Sequence, residues 1–153
     1  MPMLKKISWI FILLFTTACL AGCGDDNEHE DDTTVDTDYI VGKWQGVSSR
    51  GWEIVNGKIT DRWEDNESSG LQFIEFKNDA TGRYEDDEID FPLVFTWNIT
   101  GRNALNIAIA IGSETYPTTF KIKTLTHDKL VLAMEEGNSQ NGSYTEDTYR
   151  RIN

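Results

Sequence analysis

Trp52-Glu53-Ile54-Val55-Asn56-Gly57-Lys58-Ile59-Thr60-Asp61-Arg62-Trp63 decides the fold class. Two runs rich in β-branched and aromatic residues flank Asn56-Gly57. That pair suits a two-residue type I′ turn, whose central positions both need positive φ. The stretch therefore reads as a tight antiparallel hairpin. With Val55 opposite Lys58, Ile54 faces Ile59 and Trp52 faces Asp61, and Trp63 lies diagonally from Trp52 on the same face. Glu53, Thr60, Arg62 and Glu64 fall on the other face, which must meet water.

The same texture continues in both directions. Gly42-Lys43-Trp44 opens a strand upstream, and residues 71–77 and 83–87 flank the turn Asn78-Asp79-Ala80-Thr81-Gly82. Leu93, Phe95, Trp97 and Ile99 alternate with polar or small neighbours, as do Leu105, Ile107, Ile109 and Ile111. Tyr116, Phe120 and Ile122 mark the next strand, with Pro117 pointing to an edge or a bulge at its start. Leu130, Leu132 and Met134 follow Thr126-His127-Asp128, and a last strand covers 144–152. No stretch keeps a 3.6-residue apolar period, so the domain is all-β. Ten candidate strands with hairpin-length connections form an antiparallel meander. Closing it into a barrel of 8–10 short strands hides the edges and gives the apolar faces an interior. A two-sheet sandwich is the alternative that strand patterning alone leaves open.

The N-terminus has a different character. Lys5 and Lys6 precede an apolar run over 7–18 that ends in Leu20-Ala21-Gly22-Cys23. A basic start, a short apolar core and a small-residue cleavage site describe an export signal, and about twelve residues are too few to span a ~30 Å hydrocarbon core. The four residues resemble the lipobox of bacterial lipoproteins. That resemblance implies removal of residues 1–22 and lipidation of Cys23, with three acyl chains (palmitate-type) holding the protein to a membrane. One chain alone would hold only marginally.

Removing 1–22 leaves 12 basic and 26 acidic residues. Eight of those acids fall in residues 24–38, which hold one apolar side chain, Val35, and no Lys or Arg. Residues 23–38 thus read as a lipidated Cys and a disordered acidic tether, and 39–153 as the domain. The acidic run also resembles a surface-export signal of some Gram-negative lipoproteins, which implies an outer-membrane anchor and display on the cell surface. The negative balance argues against nucleic acid as a partner.

Chemistry is sparse. Cys19 leaves with the signal and Cys23 carries lipid, so no thiol remains to attack a substrate or ligate metal. His127 sits in a turn beside Asp128, and no nucleophile–base or paired-acid spacing stands out, so the chain reads as no enzyme. Glu85-Asp86-Asp87-Glu88 with Asp90 offers oxygen ligands, but alternation would split them between faces and no EF-hand spacing occurs. Neither a metal nor another cofactor is expected.

Gly42-Lys43-Trp44 resembles the G-x-W hallmark of lipocalins. Ile74-Glu75-Phe76 with Asn78-Asp79-Ala80-Thr81-Gly82, Leu125-Thr126 before Leu130-Val131-Leu132, and Tyr149-Arg150-Arg151 extend the likeness to the lipocalin-like domain of bacterial lipoproteins, a calycin-type β-barrel. The resemblance covers roughly 39–152. It implies that Arg151, rather than Arg150, packs across Trp44 beside Gly42 and closes one end of the barrel. It also implies a monomer that binds a small hydrophobic or amphipathic ligand in or at the mouth of the barrel. Trp52, Trp63, Phe95, Trp97 and Ile107 are the candidate lining, with Asp61 near the rim. The alternative is a structural or accessory envelope lipoprotein with a packed barrel that docks a protein or glycan through its outer surface.

Overall fold

Asn56 and Gly57 take φ of 53° and 72°, the left-handed pair of a type I′ turn. They join β1 (Gly42–Val55) to β2 (Lys58–Asp65), and seven further strands follow. These are β3 (Phe73–Phe76), β4 (Thr81–Glu85), β5 (Leu93–Thr100), β6 (Ala104–Ile111), β7 (Glu114–Leu125), β8 (Lys129–Gly137) and β9 (Asn141–Ile152). The structure is a computed structural model and describes residues 35–66 and 72–153. The signal segment, Cys23 and most of the acidic tether lie outside the described residues.

The meander is antiparallel throughout in the order β1-β3-β4-β5-β6-β7-β8-β9, and pairing of β9 with β1 closes it into an eight-stranded barrel. β2 is the additional strand. The sandwich alternative is thereby excluded, because no break divides the ladder into two sheets. Nine strands form where ten were expected, because 42–44 and 52–55 belong to one 14-residue strand. Its lower part, Gly42–Gln45, pairs with β3, and its upper part, Ser49–Val55, pairs with β2 on that same side. β9 runs along the other side for the whole length, from Lys43↔Ile152 to Val55↔Asn141. β2 presents charged side chains along an outer edge, which discourages pairing with another chain.

A bulge between Glu53 and Ile54 changes the hairpin's faces. Val55↔Lys58 and Ile54↔Ile59 pair as expected, but Glu53 then meets Asp61 and Trp52 meets Arg62. Thr60 is the extra residue, and one inserted residue exchanges the faces of everything beyond it. Trp52 and Trp63 therefore lie on opposite faces, not on the same one.

The core sits inside the barrel toward one end, here called the base. Trp44, Ile74, Phe76, Phe95, Leu105, Ile107, Ile122, Leu130, Leu132 and Tyr149 form it, together with Val35 and Ile40. Val35 falls within the stretch whose composition marks a tether, yet it is only 9% exposed and packs in this core. Asp36 then caps a 3₁₀ turn over Thr37–Tyr39 by accepting from the Asp38 amide. The folded unit thus includes Val35, and the chain enters the barrel at its base.

Arg151 fastens that base. Its guanidinium carbon lies 4.3 Å from the centroid of the Trp44 ring, and Trp44 is fully buried. Nη1 donates to the Val41 carbonyl at 2.8 Å, while Nε and Nη2 donate to the carbonyls of His127 and Tyr39. The Trp44 indole N–H donates to the Ile40 carbonyl at 2.8 Å, so the buried ring keeps its hydrogen bond. Gly42 has φ of 139°, and a Cβ there would collide with the Arg151 guanidinium. Arg150 points outward and donates to Gln45 Oε1.

Arg151→Ala should lower unfolding stability by about 2–4 kcal/mol, since it strips a cation–π contact and leaves three carbonyls short of a donor. Arg150→Ala should change it by no more than about 0.5 kcal/mol, as at an ordinary surface position. Urea unfolding of the two variants checks the contrast.

Candidate functional site

Cross-strand partners share a face of the sheet, so the core residues define which positions point into the barrel. Along β6 the inward series is Leu105, Ile107, Ile109 and Ile111. Exposure rises from 0% at Leu105 and 5% at Ile107, through a half-buried Ile109, to 41% at Ile111. β8 repeats the gradient, with Leu130 and Leu132 buried, Met134 half-buried and Glu136 exposed. The barrel is filled at its base and becomes accessible toward the opposite end, the mouth.

Two kinds of wall face each other above the core. One is apolar: Leu93 on β5, Ile107 and Ile109 on β6, Tyr116 and Thr118 on β7, and Met134 on β8 take the inward positions. The ladder between β7 and β8 ends at Lys121↔Ala133, so the first half of β7 bonds to β6 alone. Pro117 falls in that half, where its missing N–H interrupts no ladder on the open side.

The other wall is polar and runs over β4, β3, β1 and β9. Ser49 pairs with Asp147, and Tyr149 and Thr145 flank Asp147 on the same face. Tyr84 pairs with Ile74, which puts Tyr84, Asp86 and Gln72 on the inward side. The Tyr84 hydroxyl donates to Asp86 Oδ2 at 2.8 Å and the Gln72 amide donates to the same oxygen at 3.0 Å. Burial opposes the Asp86 charge, but the Glu88 amide and the Tyr84 and Gln72 donors outweigh it and hold that carboxyl below its usual range. Asp147 goes the other way. Burial pushes it up to about 6, and the neighbouring Glu146 adds to the rise, while a hydrogen bond from Ser49 only partly counters it. Burial likewise drives the Tyr84 and Tyr149 hydroxyls far above their ordinary range, so both remain neutral donors.

The residues singled out in the sequence do not form one site. Trp52 is on the outer surface, stacked on Tyr144 with ring centroids 4.2 Å apart and with Arg62 at 5.8 Å. Trp63 faces inward at the mouth, where its ring occupies the space a Gly51 side chain would need. Asp61 shares that inward face opposite Glu53. Phe95 and Ile107 are 4% and 5% exposed and belong to the core. Trp97 packs edge-on against Phe76, 5.5 Å between centroids, and donates its indole N–H to the Thr81 carbonyl at 2.9 Å. The polar wall was not among the sequence candidates. Alternation along β9 would have revealed it, since Arg151 inside requires Tyr149, Asp147 and Thr145 inside as well.

The chain matches the family model of the lipocalin-like domain over residues 40–132. It belongs to that family. Among solved structures it is similar to a lipocalin-like protein from Bacteroides uniformis, at 14% identity and a TM-score of 0.48, covering 74% of this chain and 99% of that one. It is also similar to the bovine lipocalin allergen Bos d 2, at 13% identity and a TM-score of 0.45, covering 77% of this chain and 76% of that one. No curated protein matches.

Asp147 also makes a stability prediction. Its folded pKa lies above the unfolded value near 3.8, so between about pH 4 and 6 the folded state holds the extra proton and stability falls as pH rises. Asp147→Asn should remove that loss. Its melting temperature should exceed that of wild type by roughly 5 °C at pH 7.5 and match it at pH 4, measured by circular dichroism.

Proposed function

We propose that the protein is a lipocalin-like binding lipoprotein that takes a small amphipathic ligand into the upper half of its barrel. The observation that carries the reading is the gradient along β6, from a sealed Leu105 to an accessible Ile111. A barrel capped at its mouth as it is at its base would bury Ile111 as it buries Leu105. The facing apolar and polar walls suit a ligand with one apolar part and one polar part. The lipocalin fold is typically a non-catalytic binding fold, which agrees with the lack of a nucleophile–base pair in the sequence.

Cys23, in its lipobox-like setting, would anchor the protein to the outer membrane, with the acidic tether that follows it favouring display on the cell surface. The accessory reading keeps one specific support. The Trp52–Tyr144 stack on the outer face, with Ile59 45% exposed on that face, could dock a protein or glycan.

Native mass spectrometry of the protein purified from its own host without detergent tests the binding reading. A small-molecule mass excess that is lost on denaturation is the expected result. A clean apo mass, with no change in tryptophan emission across a panel of lipids and glycans, would contradict it.

A further inference from the structure

We propose that the polar wall around Asp147 is the head-group subsite of this chamber and that it receives a protonated amine. The inference rests on the binding reading above and names the chemistry of the ligand's polar end.

Asp147 points into the barrel from β9 with no cation facing it from the strands packed against it. β1 presents Ser49, whose hydroxyl donates to the carboxylate. β8 presents Leu132 and Met134 from its pairing with β9. Tyr84, Asp86 and Tyr149 are titratable groups of the same wall, Asp65 pairs with Ser49 on that face, and Glu53, Asp61 and Glu136 take inward positions nearer the mouth; all are neutral donors or acids. Arg151 shares the inward face of β9 but is held at the base over Trp44, with Tyr149 the inward position between it and Asp147; the other arginines of these strands take the opposite face. Arg50 pairs with Glu146 outside the barrel at 2.6 Å, Arg62 lies opposite Trp52, and Arg83 lies opposite Val94. Above the base, where Arg151 is engaged by Trp44, positive charge is thus kept off the wall that Asp147 occupies.

At neutral pH the Asp147 carboxyl, raised only to about 6, is ionised while partly withdrawn from water. A partly buried carboxylate with one hydroxyl partner is costly, and an ammonium with its three donors would offset that cost. Tyr84 and Tyr149 add aromatic surface and hydroxyls beside it. A second observation lies across the chamber. The Thr118 hydroxyl is buried without a hydrogen-bond partner among the described residues. It faces inward opposite Ile107, on the otherwise apolar wall. Such an orphaned group calls for a partner that the protein itself does not supply. The described residues hold no group of three or more His, Cys, Asp or Glu arranged for a metal ion, so the positive charge is assigned to an organic amine.

Three ligands with the same ten-carbon chain separate the possibilities: decylamine, decanol and decanoate, titrated at pH 7.5 into the purified protein and followed by calorimetry. Decylamine should bind about tenfold or more tightly than decanol, with decanoate weakest, as one charge-assisted contact would give. Asp147→Asn should bring decylamine to the decanol level and leave decanol unchanged. In the wild type, lowering the pH to 5 should shrink the amine preference without any substitution. Equal binding of decylamine and decanol to wild type would overturn the amine subsite and leave the chamber standing. So would an amine preference that Asp147→Asn retains. Binding of none of the three would overturn the chamber reading and the subsite together.

Discussion

Arg151 over Trp44 is the contact on which the rest of the barrel depends. It draws together the beginning of β1, the end of β9, the entry segment at Tyr39 and Val41, and the β7–β8 turn at His127. Four separate pieces of backbone at one end of a tube are held by a single planar cation with several donors, a task suited to guanidinium geometry. Beneath it the aromatic and aliphatic side chains of the core are almost wholly withdrawn from water. Because that end is closed and filled, access to the interior is left to the other end. The gradient along β6 and β8 follows from that asymmetry.

The two walls above the core also have a local cause. β5 and β6 alternate apolar residues inward with small or polar ones outward, and their ladder is unbroken from Val94↔Ala110 to Thr100↔Ala104. β1 and β9 alternate in a different sense. Their inward positions above the base are Ser49, Gly51 and Glu53 on one strand and Asp147, Thr145 and Ser143 on the other. β1 can carry so polar a run because both of its edges are hydrogen-bonded, to β9 and to β2, so its strand character owes little to side-chain burial. The side chains that would normally exclude water there are replaced by groups that bind it, or bind a ligand in its place.

Much of this was legible in the sequence, and the exceptions have physical reasons. The Asn56-Gly57 turn was legible because few other pairs tolerate positive φ twice in succession. The faces beyond it were not. A one-residue bulge at Thr60 leaves no signature in composition, yet it moved Trp52 outside and left Trp63 inside. The continuity of β1 was hidden by Val47-Ser48-Ser49-Arg50-Gly51, which lacks the apolar alternation of a half-buried strand. Val35 looked like a stray apolar residue in a charged tail, and only the position of the barrel's base shows what it packs against. Phe95, Trp97 and Ile107 had the right pattern for inward positions, but the pattern does not say how far along the barrel each one lies. Asp147 was recoverable by parity from Arg151, two steps along the same face with Tyr149 between them.

The central claim is that the barrel is sealed at its base and receives ligand at its mouth. It is tested most directly by the indole N–H resonances of Trp44, Trp52, Trp63 and Trp97 in a nitrogen-15 NMR titration with a neutral amphiphile such as decanol. Trp63, inward at the mouth, should shift progressively, while Trp44 beneath Arg151 and Trp52 on the outer face stay fixed. Shifts confined to Trp52, or no shift at Trp63 while ligand demonstrably binds, would contradict the account.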